Sequence, residues 1–468
     1  MSPTFKALHN RNYRRYAAGG VISNTGTWMH RIGQDWLVLQ LTGGSAVALG
    51  VTTALQFLPF LLFSIGAGLV ADRLPKVRLL QATNLAMALP AALLGVLAIT
   101  GHAQVWQVYL IALVGGVAAA FDAPARQSFV PELVGSGDLA NAVGLNSASF
   151  NLARIVGPGL AGMLIAALGG GAVAAGWVLL LNAISFVAPI TALRRIEASL
   201  GSGRKVASRQ KAQIRAGFAY VAGRRDLVLI MAVMFFAATF GLNFQLTSAL
   251  MATEVFGKGA TEFGLLGTTM ATGSLAGALL AARRTTVRRR TVVVAAVAFG
   301  LAEVVAGLLP TYWSFAVFTP ILGITAMTMI TSANTYVQLW TDSAMRGRVS
   351  ALYMLVFFGG TPLGAPIVGW VGEHWGGRWT LIGGGALTVI GVVVSVLLIH
   401  RPGSRVESAV EGSTVSPTAA QPASPVQMPA VTSPETHLAQ IQRMAARSCR
   451  TKPLAKPNVA CSPSSMQN

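Results

Sequence analysis

Gly68-Leu69-Val70-Ala71-Asp72-Arg73-Leu74-Pro75-Lys76-Val77-Arg78 closes the second of many long apolar segments in a chain of 468 residues. An acid and a basic cluster stand there, at the end of a hydrophobic helix. Gly68 is small enough to let two helices approach, Asp72 follows one helical turn later, and Arg73, Lys76 and Arg78 come next. Basic residues beside a span set its orientation, but acids contribute little to that, so Asp72 calls for a second role.

With 53% hydrophobic and 11% charged residues and a mean hydropathy of +0.60, the chain is too apolar for a soluble protein of its length. A spanning helix needs about 20 mostly apolar residues. Windows of that kind recur from residue 16 to residue 399 and predict an all-α membrane protein with twelve transmembrane helices. An N-terminus on the cytoplasmic side places 31 of the 35 Lys and Arg residues inside, leaving Lys258 and Arg378 outside and Arg31 and Arg154 within spans. Topology and anionic inner-leaflet lipid therefore account for the net charge of +20, and no nucleic-acid partner is implied. Residues 1–15 lack a small-residue cleavage site after the first span and read as a cytoplasmic interfacial segment, with Phe5, Leu8, Tyr13 and Tyr16 among basic residues.

The organisation that follows is a six-helix bundle over 16–193, a basic cytoplasmic linker over 194–226, a second six-helix bundle over 227–400, and a tail over 401–468 too rich in Ser, Pro, Thr and Ala to bury a core. Cys449 and Cys461 both fall in that tail, so the membrane part has no disulfide and no thiolate metal site. An internal repeat supports the two bundles. Gly157-Pro158 in the fifth span is answered by Thr361-Pro362 in the eleventh, and the Gly68–Arg78 loop by Gly277 to Arg290, where Ala281 replaces the acid.

The Gly68–Arg78 loop resembles the G-x-x-x-D-R-x-G-[RK] signature of major facilitator superfamily transporters, with Pro75 in place of the usual Gly. The fifth span resembles the G-x8-G-x3-G-P-x2-G-G pattern of drug:proton antiporters at Gly144, Gly157, Pro158 and Gly162, with Ala153 and Ala161 for two glycines. Phe121-Asp122-Ala123-Pro124-Ala125-Arg126-Gln127 and Arg346-Gly347-Arg348 are similar to the branch containing the enterobactin exporter and macrolide efflux proteins. The resemblance implies the major facilitator fold, a substrate site between the halves, a proton gradient in place of any cofactor, and export of antibiotics, siderophores or similar molecules. The site implied is a multi-pass inner (cytoplasmic) membrane, with both termini cytoplasmic and a functional monomer in contact with lipid and a small-molecule substrate. It also implies a cytoplasmic gate at Gly68, Asp72, Arg73, Lys76, Asp122 and Arg126, in which Asp72 faces the start of the eleventh helix and Lys76 lies near Asp122. The intramembrane Arg that the family usually carries in its fourth helix is Ala112 here.

Charges inside the membrane are the main mechanistic clue, because each is unfavourable there unless paired or wetted. Arg31 and Asp35 are four apart on one face of the first span, which makes Asp35 the candidate proton-binding carboxylate and Arg31 its partner; a permanent structural pair is the alternative. Arg154 reads as a cavity-side cation that meets an anionic cargo or pairs with Asp35, or else as a structural donor beside Pro158. Glu303 reads as structural. Asn24, Trp28, Gln56, Phe57, Phe240, Asn243, Gln245, Tyr353 and Phe357 form a candidate aromatic and amide lining for substrate. Proton-coupled export is the reading carried forward, with a proton-coupled uptake symporter or facilitator of a small metabolite as the alternative. An intramembrane enzyme would need a paired nucleophile and base or a metal cluster, and His30 in the first span has no such partner nearby.

Overall fold

The computed structural model describes residues 3–135, 137–196, 210–284 and 286–399. The tail, both cysteines and the middle of the linker lie outside them. The described residues form twelve long helices: α1 Arg11–Thr42, α2 Ala46–Arg73, α3 Lys76–Ile99, α4 Val105–Leu133, α5 Leu139–Ala167, α6 Ala172–Arg194, α7 Arg225–Val255, α8 Ala260–Ala282, α9 Arg289–Leu308, α10 Tyr312–Trp340, α11 Arg346–Trp375 and α12 Gly377–Ile399. Local signals set their ends. The Asn10 side chain accepts from the backbone N–H groups of Asn12 and Tyr13, 3.0 Å each, and starts α1. Gly43 ends it at φ 66°, a conformation that leaves its N–H free to bond the Leu39 carbonyl. Ser45 then caps α2, its hydroxyl accepting from Ala48 N–H at 3.2 Å.

Eleven of these helices are long and apolar enough to cross a membrane by length and composition alone. The twelfth is α1. At 32 residues it is about 48 Å long, but Asn24, His30, Arg31, Gln34 and Asp35 interrupt its apolar run. Ile32 to Leu39 are all buried, so the polar residues on that stretch face protein rather than lipid.

The span over α7 is not one continuous α-helix. Two π-helical turns, Ala237–Gly241 and Met251–Val255, flank a short α segment, and the helix breaks at Leu242 and Asn243. Freed backbone groups are met locally, with Asn243 Nδ2 donating to the Thr239 carbonyl at 2.9 Å.

Two helix pairs join the halves, α2 with α11 and α5 with α8. Both use small residues to bring backbones together. A Cβ at Gly50 would collide with the Ala365 carbonyl and one at Gly369 with Ala46; across the other pair, Gly162 lies against Ala260 and Gly264 against Pro158. All these contacts lie toward one face, here termed the far face, opposite the linker face that carries the α2–α3 and α6–α7 loops. Toward the linker face the halves part. Leu62 is 63% exposed, Asp72 is exposed, and a Cβ at Gly68 or Gly144 would meet no neighbour within 4 Å. The close helix contact expected at Gly68 and Gly144 is therefore absent here, because both stand at the separated ends.

The N-terminal segment is also placed differently from expectation. Pro3–His9 is a short 3-10 helix docked on the start of α5, with Ala7 N–H donating to Asn141 Oδ1 at 2.9 Å and Lys6 paired with Asp138 at 2.9 Å. Tyr13 and Tyr16 are buried with Phe129 instead of facing the membrane surface. On the other half, the linker's helix Gln210–Ala222 leads to Tyr220, whose hydroxyl donates to Asp342 at 3.0 Å.

Gly364 on α11 sits directly on the Thr239 carbonyl of α7. Gly364→Ala should lower the unfolding free energy in detergent by the roughly 1–3 kcal/mol of an overpacked site, and the midpoint with it. Gly144→Ala should leave it unchanged.

Candidate functional site

The polar face of α1 meets α7 just beyond the helix break. Asp35, 3% exposed, accepts a 2.6 Å hydrogen bond from Gln245 Nε2. This bond ties the first half to the second. Arg31 stands one helical turn before Asp35 on α1, but the expected ion pair is not formed. The Arg31 guanidinium lies over Trp28 at 4.7 Å and Phe57 at 5.7 Å from the ring centroids. Gln245 occupies the carboxylate that Arg31 was expected to hold. Arg154 does not pair with Asp35 either: it donates to Ser274 Oγ of α8 at 3.3 Å, and its guanidinium lies 5.7 Å from the Trp28 ring centroid. One indole thus carries two guanidinium groups. Its backbone position is fixed by Gly157, where a Cβ would meet Trp28 Cβ at 2.6 Å.

A cavity opens beside this cluster within the first half, among α1, α2, α3, α4 and α6. Arg31, Gln34, Gln56, Phe57 and Phe60 line it, with Ala112, Gly115 and Gly116 of α4. Arg31 of α1 thus lines the same cavity as Ala112, and the small residues of α4 leave the room. Gln34 is buried beside His30, whose Nε2 lies 3.2 Å from Gln34 Oε1.

The expected substrate lining is only partly gathered here. Trp28, Gln56, Phe57 and Gln245 come together around Arg31 and Asp35, and Asn24 is half-buried on α1. Phe240 instead stacks on Phe236. Asn243 is used in the α7 break. Tyr353 is 1% exposed and donates to the Ile330 carbonyl at 3.1 Å, so it belongs to the core of the second half. Phe357 stacks on Tyr353 and contacts Phe358, which in turn stacks on Phe60 of α2.

At the linker face, Asp122 forms an ion pair with Arg126 and accepts from Thr83 Oγ1 at 2.8 Å. Arg126 also donates to Asn84 at 3.0 Å. Lys76 pairs with Glu132, not with Asp122. The geometry explains this correction. Asp122 is level with Thr83, seven residues into α3, whereas Lys76 is the first residue of α3, about 10 Å further along the axis and beside the end of α4. Asp72 and Arg73 are exposed, away from the start of α11 in this arrangement.

The far face carries a contact that the sequence reading passed over. Glu373, near the end of α11, accepts from Ser45 Oγ at 3.0 Å and from Val47 N–H at 3.1 Å. An anion thereby sits at the N-terminus of α2, where unpaired N–H groups favour it. The sequence signal was an acid at the end of the eleventh span, facing the helix that the Asp72 argument already concerned.

Residues 2–427 match the family described as transmembrane secretion effector. The multidrug efflux pump Tap of Mycolicibacterium fortuitum is 29% identical over 380 residues, 78% of this chain and 90% of Tap. The staphyloferrin A transporter of Staphylococcus aureus (strain NCTC 8325 / PS 47) is 36% identical over 142 residues, 30% of this chain and only 36% of that protein's length. Among solved structures, a bacterial homolog of the human lysosomal transporter Spinster, in an inward-facing and unoccupied conformation, superposes with a TM-score of 0.65 at 15% identity over 83% of this chain and 97% of that one. A bacterial homologue of the iron transporter ferroportin, also inward-facing, gives a TM-score of 0.65 at 15% identity over 84% and 99%. The polar face buried inside twelve long helices and the match over nearly the whole membrane part lead to one conclusion: the chain belongs to the transmembrane secretion effector family and is a membrane transporter of the major facilitator superfamily.

Proposed function

We propose that this transporter exports a medium-sized organic molecule from the cytoplasm by alternating access, as a proton antiporter of the cell membrane that works as a monomer. The observation that carries the reading is Asp35, a buried carboxylate whose hydrogen bond to Gln245 spans the two halves. Ionised Asp35 makes a charge-assisted bond across the α1–α7 contact, and a proton on it weakens that bond and frees the halves to rock. The broken α7 gives the second half a place to bend at the same point. Relatives named for multidrug efflux, macrolide efflux and staphyloferrin A transport support a cargo of that size and an outward direction. The excess of Lys and Arg supports a cytoplasmic linker face, which makes the arrangement described above inward-open.

Two acids then serve opposite states. Glu373 holds the outside closed while the inside is open. Asp72 approaches the start of α11 when the inside closes, and Arg73, Lys76 and Arg78 fix the orientation of the loop around it.

Asp35→Asn should abolish export driven by a pH gradient in everted vesicles while leaving the protein monodisperse. Undiminished gradient-driven export would remove Asp35 from the coupling. Uptake instead of export in the parent vesicles would favour the symporter. Glu373→Gln should reduce the inward-open population up to about fivefold, the equivalent of the 0.3–1 kcal/mol typical of an exposed charge at a helix terminus. Asp72→Asn should shift the population the other way. Spin-label distances between the linker-face ends of α2 and α11 measure both, and the two variants should move them in opposite directions.

A further inference from the structure

We propose that the cargo is an organic anion, with its carboxylate seated on Arg31 and Gln34 and Arg154 supplying a second cation from the other helix packed on Trp28; the inference rests on the export reading above. Arg31 Nε and Gln34 Nε2 are both buried, and neither has a hydrogen-bond partner among the described residues. The two side chains are three residues apart on α1 and line the same cavity. Gln34 is 2% exposed. An unpaired amide donor and an unpaired guanidinium donor, on side chains that line one cavity, are the groups that the two oxygens of a carboxylate accept from.

Charge balance gives the same answer. Arg31 and Arg154 both lie against Trp28, and neither forms an ion pair within 4 Å among the described residues. Asp35, one helical turn from Arg31 on α1, is engaged by Gln245. Two guanidiniums against one carboxylate leave a surplus positive charge in a region where an unbalanced charge is unfavourable. His30 beside them adds no acid. An anionic ligand balances the cluster, and a guanidinium stacked on an indole keeps its edge donors available for a planar carboxylate.

The walls determine what the carboxylate is attached to. Phe57 and Phe60 face the cavity from α2, and Ala112, Gly115 and Gly116 leave α4 without bulk. An aromatic or otherwise largely apolar body with one carboxylate fits this lining, whereas a small inorganic anion would leave the aromatic surface uncovered.

The probe pair is 2-naphthoate and 2-naphthamide, alike in shape and different in charge. Binding to the purified full-length transporter in nanodiscs is measured by calorimetry. The parent should bind the carboxylate roughly tenfold or more tightly than the amide, as expected for a charge-assisted bidentate contact. Arg31→Gln should close that gap, and Arg31→Lys should keep part of it by retaining charge without the fork. Gln34→Leu and Arg154→Gln should each narrow it, which keeps the test decisive if Arg31→Gln does not fold. Excess chloride should not displace the naphthoate. Equal affinity for the two probes, binding of neither, displacement by chloride, or a gap that survives Arg31→Gln would each overturn the proposal. No gradient is present in this measurement, so its outcome is separate from that of vesicle export: failed antiport with selective naphthoate binding would discard the export reading and keep the anion site.

Discussion

Close backbone approach between α2 and α11, and between α5 and α8, is the constraint on which the rest of this structure depends. Lipid gives two apolar helices little reason to associate, so the halves must be joined by packing and by polar contacts. Gly50, Gly162, Gly264 and Gly369 provide the packing at the far face, each resting on the backbone of the facing helix. Because these contacts end partway along the helices, the halves meet on one side and part on the other. Every polar contact between the halves then acts on an arrangement already hinged there.

The Asp35–Gln245 bond is placed to exploit that hinge. It lies inside the protein on α1, the helix whose polar residues disqualify it as a span by composition alone. It also lies one turn beyond the π-helical section of α7, where the backbone is least constrained by a continuous hydrogen-bond ladder. A buried carboxylate on one helix is bonded to an amide on a broken one, and the proposed antiport uses that bond to couple the protonation of the first to the conformation of the second. Trp28 adds a second connection. It is held by Gly157 of the Gly157-Pro158 pair, so the small-residue pattern of α5 positions the aromatic that carries both guanidiniums.

Much of the fold was legible because it follows from solvent and period. Long apolar windows, the bias of Lys and Arg, and the recurrence of Gly-Pro in the fifth and eleventh spans each have one physical explanation in a bilayer. The site was legible in its membership and less so in its pairings. Asp35, Arg31 and Arg154 do cluster, yet helical spacing alone placed Arg31 on Asp35, since it could not reveal that Gln245 would arrive from a distant helix. Lys76 and Asp122 failed for a similar reason, because loop proximity in sequence says nothing of their level along α3 and α4. Tyr353 looked like a lining residue by its amphipathic chemistry, but its hydroxyl is satisfied by a backbone carbonyl in the core. The α7 break left only Gly241 and Asn243 as traces, too weak a signal in an apolar run to announce π turns.

Glu373 and Asp72 are the two acids that the proposed cycle uses at this hinge. Each is an acid at the C-terminal end of one helix of the α2–α11 pair, and each has the N-terminus of the other helix as its natural partner. Glu373 has that partner in the present arrangement, while Asp72 is exposed. In the proposed cycle, rocking about the shared contact separates Glu373 from α2 as it brings Asp72 toward α11. An exposed charge at a helix end is worth only about 0.3–1 kcal/mol, so neither contact is strong enough by itself to trap the molecule. In the proposed antiport the choice of state therefore passes to the interior, where a proton on Asp35 or an anion beside Arg31 acts on a buried contact and not on an exposed latch.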